Sequence, residues 1–308
     1  MARAEITMTG GQMSRQPMAE VFGYPINNFG EDATRHRTER LCPFSNKVPN
    51  CTKDKATAPL GVCSVYDGDK PDPIITCPVR FREQWVIASD VASFFFPADA
   101  NWTSLTEVRL SDKNGRPAGN IGLLLVSYDD RGKVLDFGAC EVQAVYISGN
   151  IRNPFEAYIH DPSANTGLDW SGGLNYPRPD FLSSSRKRLA PQLLFKGSIL
   201  TAWGKKQSVV LDSAFYDTLP QLPTVSRDEA DLAWFIYRLD LDTALNRYRL
   251  VLDQTVYTSF KPTLDVVTIA EPGDLDEFVS SIQKKLDEKL QAQPDAPTLS
   301  DAFSSEDE

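Results

Sequence analysis

IGLLLVSY (121–128), DDRG (129–132) and VLDFGACEVQAVYI (134–147) are the stretches from which the fold is read. The first is a short apolar run of strand length, and the third carries the alternation of a strand. Asp129-Asp130-Arg131-Gly132 between them is turn chemistry, so the three together predict an antiparallel hairpin. Working outward, Thr106–Leu110, Val209–Leu211, Leu232–Asp240 and Tyr248–Ser259 read as further strands. Helical patterns run over Arg82–Phe96, over Ser184–Trp203 with an interruption at Pro191, and from Asp274 to about Leu290. Strands mixed with helices, without strict alternation, predict an α/β (α+β) fold built on one central mixed sheet flanked by helices.

The chain has 308 residues, 41% hydrophobic and 24% charged, enough for a substantial core. No apolar run approaches the roughly 18 residues of a membrane helix. The first residues lack the apolar segment and cleavage site of a secretion signal, which predicts a cytoplasmic protein. The formal net charge of −10 argues against a non-specific nucleic-acid coat. Half of that excess sits in Asp295, Asp301, Glu306, Asp307 and Glu308, so the remainder can still present a basic cleft. Four segments follow: a flexible lead-in (1–20), a cysteine-rich region (21–80), a main domain (81–290) and a disordered acidic tail (291–308).

Cys42, Cys51, Cys63 and Cys77 fall in one segment, separated by eight, eleven and thirteen residues, and Cys140 lies in a strand. Three readings stay open at this point. Disulfides are disfavoured in a reducing compartment. Four unrelated buried thiols are the blander alternative. One metal ion held by four thiolates would explain how a stretch poor in apolar residues folds at all, and such a set suits Zn²⁺ or a single iron. Cys140 reads as core packing.

On the strand leaving the hairpin, Glu141 and Gln143 are two residues apart and therefore share a face. A carboxylate and an amide so placed can bind a divalent cation and orient a water. An exposed polar edge would look the same.

The segments VFGYPINN, LCPFSNK, CTK, GVCSV, ITCPVR, GACEVQAVYISGN and RKRLAPQLLFKG, in this order, closely resemble the NotI-like Type II restriction endonucleases. The likeness runs from Glu20 to about Lys206. It implies a PD-(D/E)XK nuclease core preceded by a four-cysteine metal motif, homodimeric recognition of a GC-rich palindrome in double-stranded DNA, and cutting with Mg²⁺. By residue matching it makes Cys42, Cys51, Cys63 and Cys77 ligands of a structural Zn or Fe ion. It makes Glu141 a catalytic Mg²⁺ ligand and Gln143 its catalytic partner, standing where most such nucleases have lysine.

The family's second metal-binding residue, an aspartate, aligns with Gly122. Glycine offers no ligand, so either the chain is catalytically impaired, the preferred reading, or the metal site is rebuilt. Asp112 and Asp136 are nearby carboxylates out of register. For DNA contacts the basic residues around the cysteine motif and the later helix stand out: Arg35, His36, Arg37, Arg40, Lys53, Lys55, Arg80, Arg82, Arg186, Lys187, Arg188, Lys196, Lys205 and Lys206. Clustered cations suit phosphates, and arginine reads guanine in the major groove. Two other functions compete: a sequence-specific DNA-binding protein that kept the fold without cleavage, and a metal-stapled interaction protein without nucleic acid.

Overall fold

A computed structural model describes residues 16–45, 48–54, 57–68, 70–173, 175–269 and 272–291. The chain divides into two compact units, Met1–Thr268 and Ile269–Glu308. The expected lead-in up to residue 15, Lys55 and the acidic tail from residue 292 lie outside the described residues.

In the first unit, β1 (Met18–Val21), β2 (Tyr24–Pro25), β3 (Val62–Val65) and β4 (Ile74–Ile75) form a small sheet ordered β2-β1-β3-β4. β1 is wholly buried, so the loose lead-in expected through residue 20 has already become core at Met18. Between β2 and β3 runs helix α1 (Glu31–Thr38). A buried ion pair ties this sheet to the rest of the unit. Arg80 Nε donates to both oxygens of Glu20 at 3.1 Å, its Nη1 to Glu83 at 2.7 Å, and its Nη2 to the Tyr248 carbonyl at 3.0 Å. Both Arg80 and Glu20 are fully buried, and the guanidinium lies 4.3 Å from the Phe44 ring centroid. Charges so deeply buried persist only when paired and hydrogen-bonded.

The central sheet takes β5 (Trp102–Ser111), β6 (Pro117–Tyr128) and β7 (Val134–Gln143) from the predicted hairpin region. A short pair, β8 (Tyr146–Ser148) and β9 (Arg178–Asp180), stands apart. β10 (Gln207–Asp212), β11 (Leu232–Asp242) and β12 (Arg247–Thr258) complete the six-stranded order β12-β11-β10-β7-β6-β5. β10 is parallel to both β7 and β11, and the other neighbours are antiparallel, so the sheet is mixed.

Both faces are covered, which is why LLLV in β6 reads as a continuous apolar run rather than an alternation. Leu123 and Leu125 join the cluster beneath helix α2 (Val86–Phe95). Leu124 and Val126 point the other way, to Leu200. Helix α3 (Arg152–His160) gives Phe155 and Tyr158 to the core of the small sheet, beside Met18, Val21 and Val62. The cysteine-rich region therefore borrows a core from later sequence, which weakens the expectation that only a metal could fold it.

Three element boundaries depart from the sequence reading. The helix expected from Arg82 begins at Val86. Before it, Pro78–Trp85 forms a 3₁₀ turn broken at Glu83 and Gln84, where the Glu83 carboxylate also accepts from Leu250 N at 2.7 Å. The strand expected to reach Ile147 leaves the sheet after Gln143, because Val145 N donates to the Ile75 carbonyl of β4 instead. Pro191 does not interrupt its helix: residues 181–202 stay helical throughout, widening into π-type turns over Ser185–Leu189 and Leu193–Gly197. Proline has no N–H and crowds the turn before it, and the wider turns accommodate both effects. This site helix lies over the β6–β7 hairpin. In the second unit, Leu275–Gln291 is a helix capped by Asp274, whose Oδ1 accepts from Glu277 N at 2.9 Å.

Candidate functional site

β7 and β10 pair Glu141 with Val209 and Gln143 with Leu211. Val209 and Leu211 belong to one core cluster, so the two polar residues share the face covered by the site helix. The β6–β7 ladder runs Leu124 to Ala139 and Leu123 to Cys140. The ladder ends at that pair, and Gly122 and Glu141 are the next residues along the two strands. A Cβ at Gly122 would meet no heavy atom within 4 Å, and its backbone is open to any L residue.

Glu107 was not anticipated. On β5 it falls between the pairs Thr106–Leu123 and Val108–Ile121, across from Gly122. Its φ of 57° is left-handed, uncommon for a residue with a side chain inside a strand. The only sequence signal was a carboxylate on the exposed phase of an alternating strand. Burial raises the Glu141 carboxyl above its ordinary range, the Lys196 cation opposes this, and the Glu107 charge adds to the rise. Lys196, expected on a DNA-facing surface, is instead 7% exposed. It donates to Glu141 Oε2 at 2.7 Å and to the Asn120 carbonyl at 2.9 Å.

Gln143 is buried, and its Nε2 donates to the Ala144 carbonyl at 2.8 Å. Asp112 caps a turn, accepting from Asn114 N and Arg116 N, and Asp136 pairs with Lys205 at 2.6 Å. Neither contributes to this centre.

Glu141 and Gln143 line a groove of about 860 Å³, open to solvent and walled by Lys53, Arg152, Lys187 and Arg188. Arg152 was missed by sequence reasoning and is paired with Asp54. The Arg188 guanidinium lies 5.0 Å from the Tyr146 ring centroid. Lys53 is held by the carbonyls of Val62 at 2.6 Å and Thr76 at 3.1 Å. Arg186, Lys187, Arg188, Arg35 and Arg40 are exposed; Arg35 pairs with Glu39, and Arg82 lies half-exposed against Trp85.

Three more expected DNA contacts are corrected. Arg80 is the buried partner of Glu20. Arg37 is buried, donating to the carbonyls of Asn28 and Pro25 beneath the Tyr158 ring. Lys206 likewise turns inward, to the Phe94 carbonyl at 3.0 Å. These cations satisfy backbone carbonyls or carboxylates that would otherwise be buried without partners.

The four cysteines are gathered, but not closed into a ligand set. Cys42 N donates to the Pro49 carbonyl and Cys51 N to the Arg40 carbonyl, and β3 and β4 bring Cys63 beside Thr76, the residue before Cys77. Burial pushes the Cys42 thiol up to about 11, with Cys77 and Cys51 adding to the rise. Cys63 is raised by burial, then by Cys77, Glu20 and Cys42. The thiols thus stand near one another, all of them free. Among the described residues, no three His, Cys, Asp or Glu side chains converge to hold a metal ion. Donor chemistry suits a thiophilic metal; the convergence of a closed site is lacking. At Glu141 the donors are oxygens, the kind Mg²⁺ takes, usually from one or two carboxylates together with phosphate and water.

The model of the NotI restriction endonuclease family matches residues 20–250. The chain belongs to this family. Membership places it among restriction endonucleases, hydrolases whose partner is DNA. The match includes all four motif cysteines, Glu107, Gly122, Glu141, Gln143 and Lys196. No curated protein matches the chain. No helix among the described residues is long and apolar enough to cross a membrane.

Proposed function

We propose that this NotI-family chain is a Type II restriction endonuclease of PD-(D/E)XK type that hydrolyses phosphodiester bonds in double-stranded DNA at a GC-rich palindrome. The observation that carries the proposal is Glu141, set at the level of Gly122 in a hairpin that opens into a groove with cationic walls. In this reading Glu141 holds Mg²⁺ with help from Glu107, and Gly122 leaves the ion one carboxylate short, impairing cleavage. Held there by Glu141 and Glu107, Mg²⁺ would neutralise the scissile phosphate and lower the pKa of a water. Hydrolysis joins a water oxygen to phosphorus as one P–O ester bond breaks, and the leaving sugar oxygen takes a proton. Gln143 carries no charge and serves to position water or phosphate.

Lys187 and Arg188 face the DNA backbone from the groove wall, with Arg186, Arg35, Arg40 and Arg82 as further phosphate or base contacts, while the Lys53 ammonium stays committed to the Val62 and Thr76 carbonyls. A palindrome read by one kind of chain calls for two-fold symmetry, hence a homodimer. Cys42, Cys51, Cys63 and Cys77 would hold one Zn or Fe ion that rigidifies the region beside the groove.

The test is to incubate the chain, and its Gly122→Asp form, with genomic DNA and Mg²⁺ and to sequence the ends. Discrete ends sharing one GC-rich palindrome support the proposal. Specific gel shifts without ends from either protein favour the DNA-binding reading, to which Gly122 itself lends weight. No shift on any duplex would leave only an interaction protein.

A further inference from the structure

Lysine is almost never found fully buried unless its charge is met. Lys196 is met at one particular place. Its Nζ bridges the two strands of the hairpin at the level of Gly122, taking the Asn120 carbonyl of β6 and the Glu141 carboxylate of β7. Its stem passes Gly119, whose φ of 119° favours glycine; a Cβ there would lie 3.6 Å from Lys196 Cδ, an ordinary contact distance. The π-type turn Leu193–Gly197 sets the residue on the sheet-facing side of the site helix. Gly197 allows that turn close approach, since a Cβ on it would stand 2.4 Å from the Phe260 ring. A cavity of about 20 Å³ lies against Glu141, Lys196 and Leu193, enough for one water-sized occupant. An ammonium has three N–H donors, and the two bonds named leave one for a water or a phosphate oxygen.

We propose that Lys196 is a positioning residue of the acidic centre, the cation that occupies the hairpin beside Glu141 and supplies from the site helix the positive charge that Gln143 cannot. The role in cleavage rests on the nuclease reading above; the placement of the cation does not. A divalent ion approaching Glu141 must share its carboxylate with this ammonium. Removing the ammonium therefore improves metal binding while removing the charge and the donor that cleavage uses. A purely structural lysine would not produce that opposite pair of effects.

The experiment measures Mn²⁺ binding by electron paramagnetic resonance in the chain as it stands and in its Lys196→Met, Lys196→Gln and Lys196→Arg forms. Tenfold or tighter binding is expected for Met and Gln and little change for Arg; Gln keeps hydrogen-bonding capacity should Met fail to fold. Unchanged or weaker Mn²⁺ binding in a folded Gln variant overturns the placement. In the Gly122→Asp background, Lys196→Gln should slow single-turnover cleavage at saturating metal by a factor of 100 or more with DNA binding retained, and Arg should restore part of the rate. Full-speed cutting by the Gln form overturns the role in cleavage. If Gly122→Asp never cuts, the nuclease reading fails, and the Mn²⁺ measurement still decides the placement of Lys196.

Discussion

Replacing Gly122 with Asp adds a carboxylate where neighbouring strands already carry Glu141 and Glu107, and the structure sets the size of each consequence. No steric penalty applies, because the new Cβ meets nothing within 4 Å. Leaving glycine in a strand interior gains about 0.5–1 kcal/mol. Against this stands like-charge repulsion: at a separation of roughly 6 Å and effective dielectric of 20–80, each carboxylate neighbour costs on the order of 1–3 kcal/mol. Lys196 offsets part of that cost. The metal-free variant should therefore be level with the parent or less stable by about 1–2 kcal/mol, a melting point lower by a few degrees.

Mg²⁺ reverses the order. If the third carboxylate brings the dissociation constant a hundredfold below the working Mg²⁺ concentration, binding stabilises the variant by about 2.7 kcal/mol. The parent, near half-saturation, gains only about 0.4 kcal/mol from the same relation. Thermal melts across a Mg²⁺ titration read this directly, and cleavage should rise by about 10²–10³. Equal Mg²⁺ shifts in the two proteins, or robust cutting by the Gly122 chain, would refute the ligand-count reasoning.

Arg80→Ala leaves Glu20 buried without its cation and should cost about 3–5 kcal/mol in urea unfolding; a much smaller loss would mean the pair is not desolvated as the structure has it. The purified protein should carry about one Zn or Fe per chain by elemental analysis, with Cys42→Ser lowering the content and Cys140→Ser leaving it unchanged. Because burial raises the Cys42 and Cys63 thiols, metal binding must displace protons, so loss to a chelator should be faster at pH 6 than at pH 8. Asp212 is buried at the end of β10, accepts from Ile75 N at 3.0 Å and Ala214 N at 2.9 Å, and has its carboxyl pushed up to about 7 by burial. Its folded value lies above the unfolded one, so its contribution favours folding at low pH and is lost as pH rises from about 4 to 7. Asp212→Asn should flatten that part of the stability profile, measured by denaturant melts at pH 4, 5.5 and 7.

The amino-acid sequence by itself determined the β6–β7 hairpin, the strands that surround it, the shared face of Glu141 and Gln143, and the family. Each depends on neighbours in the chain: turn residues, period-two alternation, or an ordered set of short motifs. Only the tertiary structure decided what the charges do. Arg80, Arg37 and Lys196 looked alike in sequence, as cations near conspicuous motifs. Arg80 met Glu20 from 60 residues away and Lys196 met Glu141 from 55, inside a sheet whose register no local pattern specifies. Glu107 became a neighbour of Glu141 only because β5 and β7 both pair with β6. The end of β7 was likewise set from a distance, by the Ile75 carbonyl that takes Val145 out of the sheet. Local propensity acts over a few residues, whereas the partner of a buried charge or backbone group is chosen by whichever distant segment packing brings within about 3 Å.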